Sequence, residues 1–243
     1  MSGQSVTLNR NLRAVWLIEA LRLRANGLST AEATEIVENL IAQDIQGPES
    51  RRKSLRYLRQ LWLEPHPEFT GLQEEAFEIY RNDSREIIAR SLSLFMLFAV
   101  YPFAREVAEA CGQLLRLQGT VKTEQIKRKI IAKHGEREHV LRSVRNGVSI
   151  FTDLGILKLE NRRGTYVSGI HKEGAPYLAA FALEDLFRSA DKSQIARSDL
   201  DAHPALFAFD ASALVATAIT DPRFGLSRMS LNRELIHLKE ERQ

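Results

Sequence analysis

Residues 120–135 read TVKTEQIKRKIIAKHG, residues 136–157 EREHVLRSVRNGVSIFTDLGIL, and residues 158–167 KLENRRGTYV. Val121 opens a short strand. Thr123 supplies an N-cap, and Ile126, Ile130 and Ile131 give the helix after it a buried side. Gly135 ends that helix in a left-handed conformation. The next helix is expected over 138–154. Its Val140, Val144, Gly147, Val148, Phe151 and Leu154 fall on one face at about 100° per residue. Gly155 stops it. Ile156 to Glu160 and Thr165 to Val167 then read as two strands, with Gly164 permitting the turn between them. The pattern is strand, helix, helix, hairpin.

Projection of the second helix puts Arg142, Arg145, Asn146 and Ser149 opposite the apolar stripe, and Arg162 and Arg163 at the tip of the hairpin. Lys122 precedes the first helix, and Lys127 lies within it. Arginine can hydrogen-bond guanine edges, asparagine can pair with adenine, and either can hold a phosphate. Glu138 and Asp153 would repel phosphate, which centres the footprint on residues 142–149.

Charge is distributed unevenly around this segment. The 243 residues carry 34 Lys+Arg and 31 Asp+Glu, a net charge of +3. Residues 119–170 hold 11 basic and 5 acidic side chains, whereas the segments before and after them are slightly negative. The whole positive excess therefore sits in the strand–helix–helix–hairpin segment, as phosphate neutralisation requires. A basic face also serves solubility alone.

Residues 119–168 resemble the winged helix-turn-helix superfamily of DNA-binding proteins, above all in VRNGVSIFTDLGILKLENRRGTYVSG (144–169). The resemblance implies that the helix carrying Arg142, Arg145 and Asn146 is the recognition helix, and that Arg162-Arg163 is the wing.

The first 101 residues read as a helical domain. Leu8 to Leu23 has helical apolar spacing, Gly27 stops it, and Ser29-Thr30 caps a second helix. Gly47-Pro48 breaks that helix, and Pro48 starts a third running to about Trp62. This third helix carries a second basic cluster, Arg51, Arg52, Lys53, Arg56 and Arg59. Ser91 to Ala104 is 14 residues of apolar sequence, short of the ~20 a membrane span needs, and reads as a core helix. Residues 102–117 form a further helix that belongs to the 102–170 unit as well. Residues 171–243 are expected to be a short helical or irregular C-terminal extension, with helices at 176–190 and 210–220 and a strand or frayed helix at the end. The fold class expected is mainly α: a helical bundle, a winged helix with a small hairpin, and that extension.

The order of ENLIAQ (38–43), the basic SRRKSLRYLRQL (50–61), a long apolar helix and the hairpin segment is similar to the BrxA family of BREX phage-exclusion accessory proteins. That resemblance implies a helical, non-catalytic DNA binder. The tail after residue 171 departs from it.

Catalytic signatures are absent: no Gly-rich phosphate loop, no HExxH and no GxSxG. The six histidines have no metal-ligand spacing, so no metal and no cofactor is expected. The single Cys111 lies on an apolar helix face and excludes internal disulfides. The N-terminus lacks a secretion-signal pattern, and the expected location is the cytosol. The partners expected are double-stranded DNA and, in a defence or regulatory complex, other protein subunits. A protein-interaction scaffold and RNA binding through the helical half are the rival readings.

Overall fold

A reciprocal cap fixes the first turn of the second helix. Ser29 Oγ accepts from the Glu32 backbone N–H, and the Glu32 carboxylate accepts from the Ser29 N–H at 2.9 Å. Gly27, at φ 85°, turns the chain into it. These features delimit α1 (Ala14–Ala25) and α2 (Thr30–Asp44). Trp16 Nε1 donates to Asp44 at 3.1 Å and locks the far ends of the pair. The computed structural model describes residues 8–161, 164–169, 176–190, 192–230 and 233–239.

The helix expected from Leu8 starts only at Ala14. Residues 8–13 form a non-helical arm, although Leu8 and Leu12 are fully buried, as the apolar spacing suggested. Tertiary partners override the local helical pattern here. Asn146 Nδ2 donates to the Leu8 carbonyl, the Asn9 N–H donates to Tyr57 Oη, and Asp153 accepts from the Ala14 N–H.

α3 (Pro48–Leu58) is also shorter than expected, because the chain widens into a π-helical turn, Arg59–Leu63. The buried Gln73 side chain donates to the Leu61 and Glu64 carbonyls at 2.9 and 3.0 Å, which satisfies the loosened backbone. Gln73 belongs to α4 (Thr70–Asn82).

α5 (Glu86–Val100) is the apolar run, with 12 of its 15 residues buried. Burying each Leu, Phe or Met is worth roughly 1.5–3 kcal/mol, so this helix anchors the core. Beyond Tyr101 the chain bends by 115° into α6 (Pro102–Gln118). Among the described residues no single helix is long and apolar enough to cross a membrane.

The C-terminal segment holds both expected helices but is more ordered than an irregular extension. It holds α9 (Pro176–Ala190), α10 (Arg197–Asp201), a 3-10 turn (Pro204–Leu206) and α11 (Ala211–Ala218). With them comes an antiparallel sheet of three strands, Gln194–Ala196, Phe224–Ser230 and Arg233–Leu238, with the last of these central. Strands of three to seven residues with Arg, Glu and His interleaved give little apolar alternation, so the sequence pattern conceals them. The 3-10 turn seats directly on α6: a Cβ on Gly112 would lie 1.9 Å from the Pro204 carbonyl oxygen. α9 lies against α5 and α11, and one buried hydrophobic cluster runs from Leu8 to Ile236. The protein is mainly helical, with two small antiparallel three-stranded sheets among the described residues.

Candidate nucleic-acid interface

After α6 the chain forms β1 (Val121–Lys122), α7 (Thr123–His134), α8 (Glu138–Asp153), β2 (Leu157–Asn161) and β3 (Thr165–Ser168). β3 is the middle strand: it pairs antiparallel with β1 through Val121↔Tyr166 and with β2 through Leu157↔Ser168. Thr123 does not cap α7. The strand continues through Lys122, so Thr123 is already helical, and the Gln125 side chain accepts from the Lys122 N–H at 2.9 Å instead. Gly155 and Gly164, at φ 81° and 68°, make the turns on either side of β2.

The apolar face of α8 packs as its spacing requires. Val140, Val144, Val148 and Phe151 are buried, and Gly147 lets Val107 of α6 approach so closely that a Cβ would sit 3.2 Å from it. The opposite face carries Arg142 and Arg145, whose side chains are 58% and 51% exposed. Both guanidinium groups lean on one carboxylate: Arg145 Nη2 lies 3.0 Å and Arg142 Nη2 3.8 Å from Glu138 Oε1.

An open groove of about 690 Å³ lies between α8, the β1–α7 junction, the hairpin and the arm. Arg145 and Ser149 enter it from α8, Lys122 and Lys127 from the β1–α7 junction, and Tyr166 from β3. Lys127 Nζ is ion-paired with Glu124 at 2.5 Å. Arg13 of the arm lines the opposite wall and pairs with Asp44. Sequence reading missed Arg13, because its place follows from the non-helical arm. Arg142 is exposed outside the groove lining.

Asn146 differs from its expected place on the free face. It is half-buried and its amide donates to Leu8 O at 2.7 Å, so one end of this side chain holds the arm against α8. Arg162 and Arg163 lie outside the described residues. On α3, Arg52 pairs with Glu49 at 2.9 Å, and Lys53 with the same carboxylate at 3.1 Å. Arg51 and Arg56 make no ion pair among the described residues, and Arg56 is exposed.

The remaining chemistry-bearing groups are structural in setting. Cys111 is fully buried, and burial pushes its thiol upward. His66 Nδ1 accepts from the Glu68 N–H and His203 Nδ1 from the Ala205 N–H. Among the described residues no group of three His, Cys, Asp or Glu side chains is placed to hold a metal ion. No protein-family model matches the chain, and no curated protein or solved structure does either.

Proposed function

We propose that residues 102–168 form a winged helix that binds double-stranded DNA, with α8 as the recognition helix, the β2–β3 hairpin as the wing, and no catalytic step. The observation that carries this reading is convergence. Cations from β1, α7 and α8 meet at one open groove beside an exposed arginine face, in the segment that holds the chain's positive excess. A compact set of Arg and Lys beside an exposed helix face suits a phosphate backbone, with Arg145, Arg142 and Ser149 turned toward base edges or phosphates. Arg162 and Arg163 extend the contact from the wing, and Arg51, Arg52 and Arg56 form a second backbone-binding face on α3. The strand order β1-β3-β2 and the helix–strand–helix–helix–hairpin sequence support the winged assignment.

The carboxylate shared by Arg142 and Arg145 does not oppose this. Exposed pairs of this kind are worth about 0.2–1 kcal/mol, whereas a phosphate contact adds counterion release as well. Exchange of Glu138 for phosphate is therefore favourable at low salt. In the cell such a protein acts in the cytosol as a transcription regulator or as a phage-defence accessory of the BREX kind, with further protein subunits bound around it.

A titration of duplex DNA by fluorescence anisotropy at several salt concentrations tests the reading. The affinity should fall with a log–log slope of about −0.9 per phosphate contact. Arg145→Ala should weaken binding about tenfold and flatten that slope by about one contact, with an unchanged melting temperature. Absence of duplex binding at ~50 mM salt, or binding of an acidic protein with no duplex binding, refutes it.

A further inference from the structure

One peptide unit of the arm is held from both sides. The Leu8 carbonyl accepts from Asn146 Nδ2 of α8 at 2.7 Å, and the N–H of the same peptide, on Asn9, donates to Tyr57 Oη of α3 at 3.0 Å. With ordinary peptide dimensions, those two side-chain atoms are at most about 8 Å apart. The basic helix α3 and the basic helix α8 are therefore neighbours across a single extended strand of chain, although 89 residues separate Tyr57 from Asn146 in sequence.

The arm carries cations of its own. Arg10 is half-exposed and makes no ion pair among the described residues. Arg13, three residues on, faces the α8 groove and is steadied by Asp44. Tyr57 reports where Arg10 lies: burial raises its hydroxyl, and the Asn9 hydrogen bond and the charges of Arg56 and Arg10 pull the other way. Arg10 and Arg56 thus both lie near the Tyr57 hydroxyl, and Arg52 sits one helical turn from Arg56 along α3.

We propose that the Leu8–Arg13 arm is a phosphate-binding bridge, in which Arg10 and Arg13 join the α8 groove to the Arg52/Arg56 face of α3 so that one duplex backbone runs across both. This rests on the DNA-binding reading of the groove and adds to it a footprint and two residues. The occupant is a duplex because the cations are spread over rigid elements, and among the described residues Tyr166 is the single aromatic ring lining the groove, too few for the successive stacking that single strands require. The arm fixes the relative placement of the two helices, so it sets which phosphates they reach together.

The experiment compares duplexes of about one and two helical turns, roughly 10 and 20 bp, with the full chain and its Arg10→Ala and Arg10→Lys variants. The wild type should bind the longer duplex more tightly than its extra sites alone explain. Arg10→Ala should weaken the longer duplex about tenfold and the shorter one by less, and should flatten the salt slope on the longer one by about 0.9. Arg10→Lys should restore most of the loss, since a phosphate contact needs a point charge rather than a planar fork. Full retention of long-duplex affinity in Arg10→Ala, beside a loss in Arg145→Ala, overturns the bridge and leaves the groove standing. An Arg10→Lys variant as weak as Arg10→Ala overturns it too, by pointing to packing. Failure of the wild type to bind either duplex removes the groove reading and the bridge together.

Discussion

Arginines occupy two very different settings in the molecule. On α8, Arg142 and Arg145 share one exposed carboxylate and keep more than half of their surface in water. At the junction of α4, α9 and the C-terminal sheet, Arg223 uses all of its donors. Nη1 and Nη2 grip Glu75 at 2.8 and 2.9 Å, Nη1 also reaches Glu184 at 2.7 Å, and Nε and Nη2 hold Asp221. Glu184 is only 8% exposed and is completed by Arg188. The same side chain is available for a ligand in one place and consumed by the fold in the other. Saturation of donors and burial of the partner, rather than charge count, separate the two.

Arg223→Ala should test the comparison most severely. It strands Glu75 and leaves Glu184 with Arg188 alone in a half-buried site, where losing one partner of an ion pair costs about 3 kcal/mol. Burial already pushes the Glu75 carboxyl upward despite Arg223, so without the arginine Glu75 takes up a proton more readily. The expected readout is a chemical-denaturation midpoint lowered with an unchanged slope, and a fall in melting temperature of roughly 10 °C. Duplex affinity at low temperature should stay as in the wild type. Arg145→Ala should do the reverse, changing affinity while shifting stability by less than about 0.5 kcal/mol. If both variants moved both quantities, the two settings would not be distinct.

A second buried ionic cluster gives a pH signature. His203 packs near Arg105 and Glu109, and burial, helped by the Arg105 charge, lowers its pKa to about 4. An unfolded histidine titrates near about 6.5. Above that pH both states are neutral and nothing is lost. As the pH falls from about 6.5 toward 4, the unfolded state takes up a proton that the folded state refuses, so stability drops and then levels off. The loss amounts to roughly 3 kcal/mol. His203→Asn keeps an acceptor for the Ala205 N–H and should remove this loss, as read from denaturation midpoints at pH 7, 5.5 and 4.5.

Part of the fold was legible because its signals are local. The α8 stripe, the Ser29–Glu32 cap and the positive-φ turns at Gly155 and Gly164 each lie within one or two helical turns of sequence. The arm was misread because Leu8 and Leu12 obey a helical spacing, while the groups that hold it extended, Tyr57, Asn146 and Asp153, lie up to 139 residues away. For the same reason Arg10 and Arg13 were invisible as candidates, and Asn146 was placed on the free face. Of the C-terminal sheet only the last strand was legible, as one of two alternatives, because its strands are short and charged. Arg223 gives no sequence signal at all: its role exists only where Glu75 of α4 and Glu184 of α9 meet it.

A last test concerns Asp185, which sits beside Glu184 on α9. The carboxylate of Asp185 is fully buried, and neither oxygen has a hydrogen-bond partner among the described residues. Burial drives its pKa well upward, Arg105 opposes that, and Glu184 adds to it. The sign is opposite to that of His203. Below about pH 4 the carboxyl is protonated in both states and carries no penalty. As the pH rises, the unfolded chain ionises while the folded one resists, so stability falls with increasing pH. Asp185→Asn should therefore match the wild type near pH 4 and exceed it at pH 7, by a margin that grows with pH. Because the two slopes have opposite sign between about pH 4 and 6.5, the two dependences partly cancel in the wild type. His203→Asn alone should then expose the Asp185 slope, with stability declining from pH 4.5 to 7. A flat profile in that variant would mean that Asp185 is ionised in the folded protein and paired more strongly with Arg105 than its burial and bare oxygens indicate.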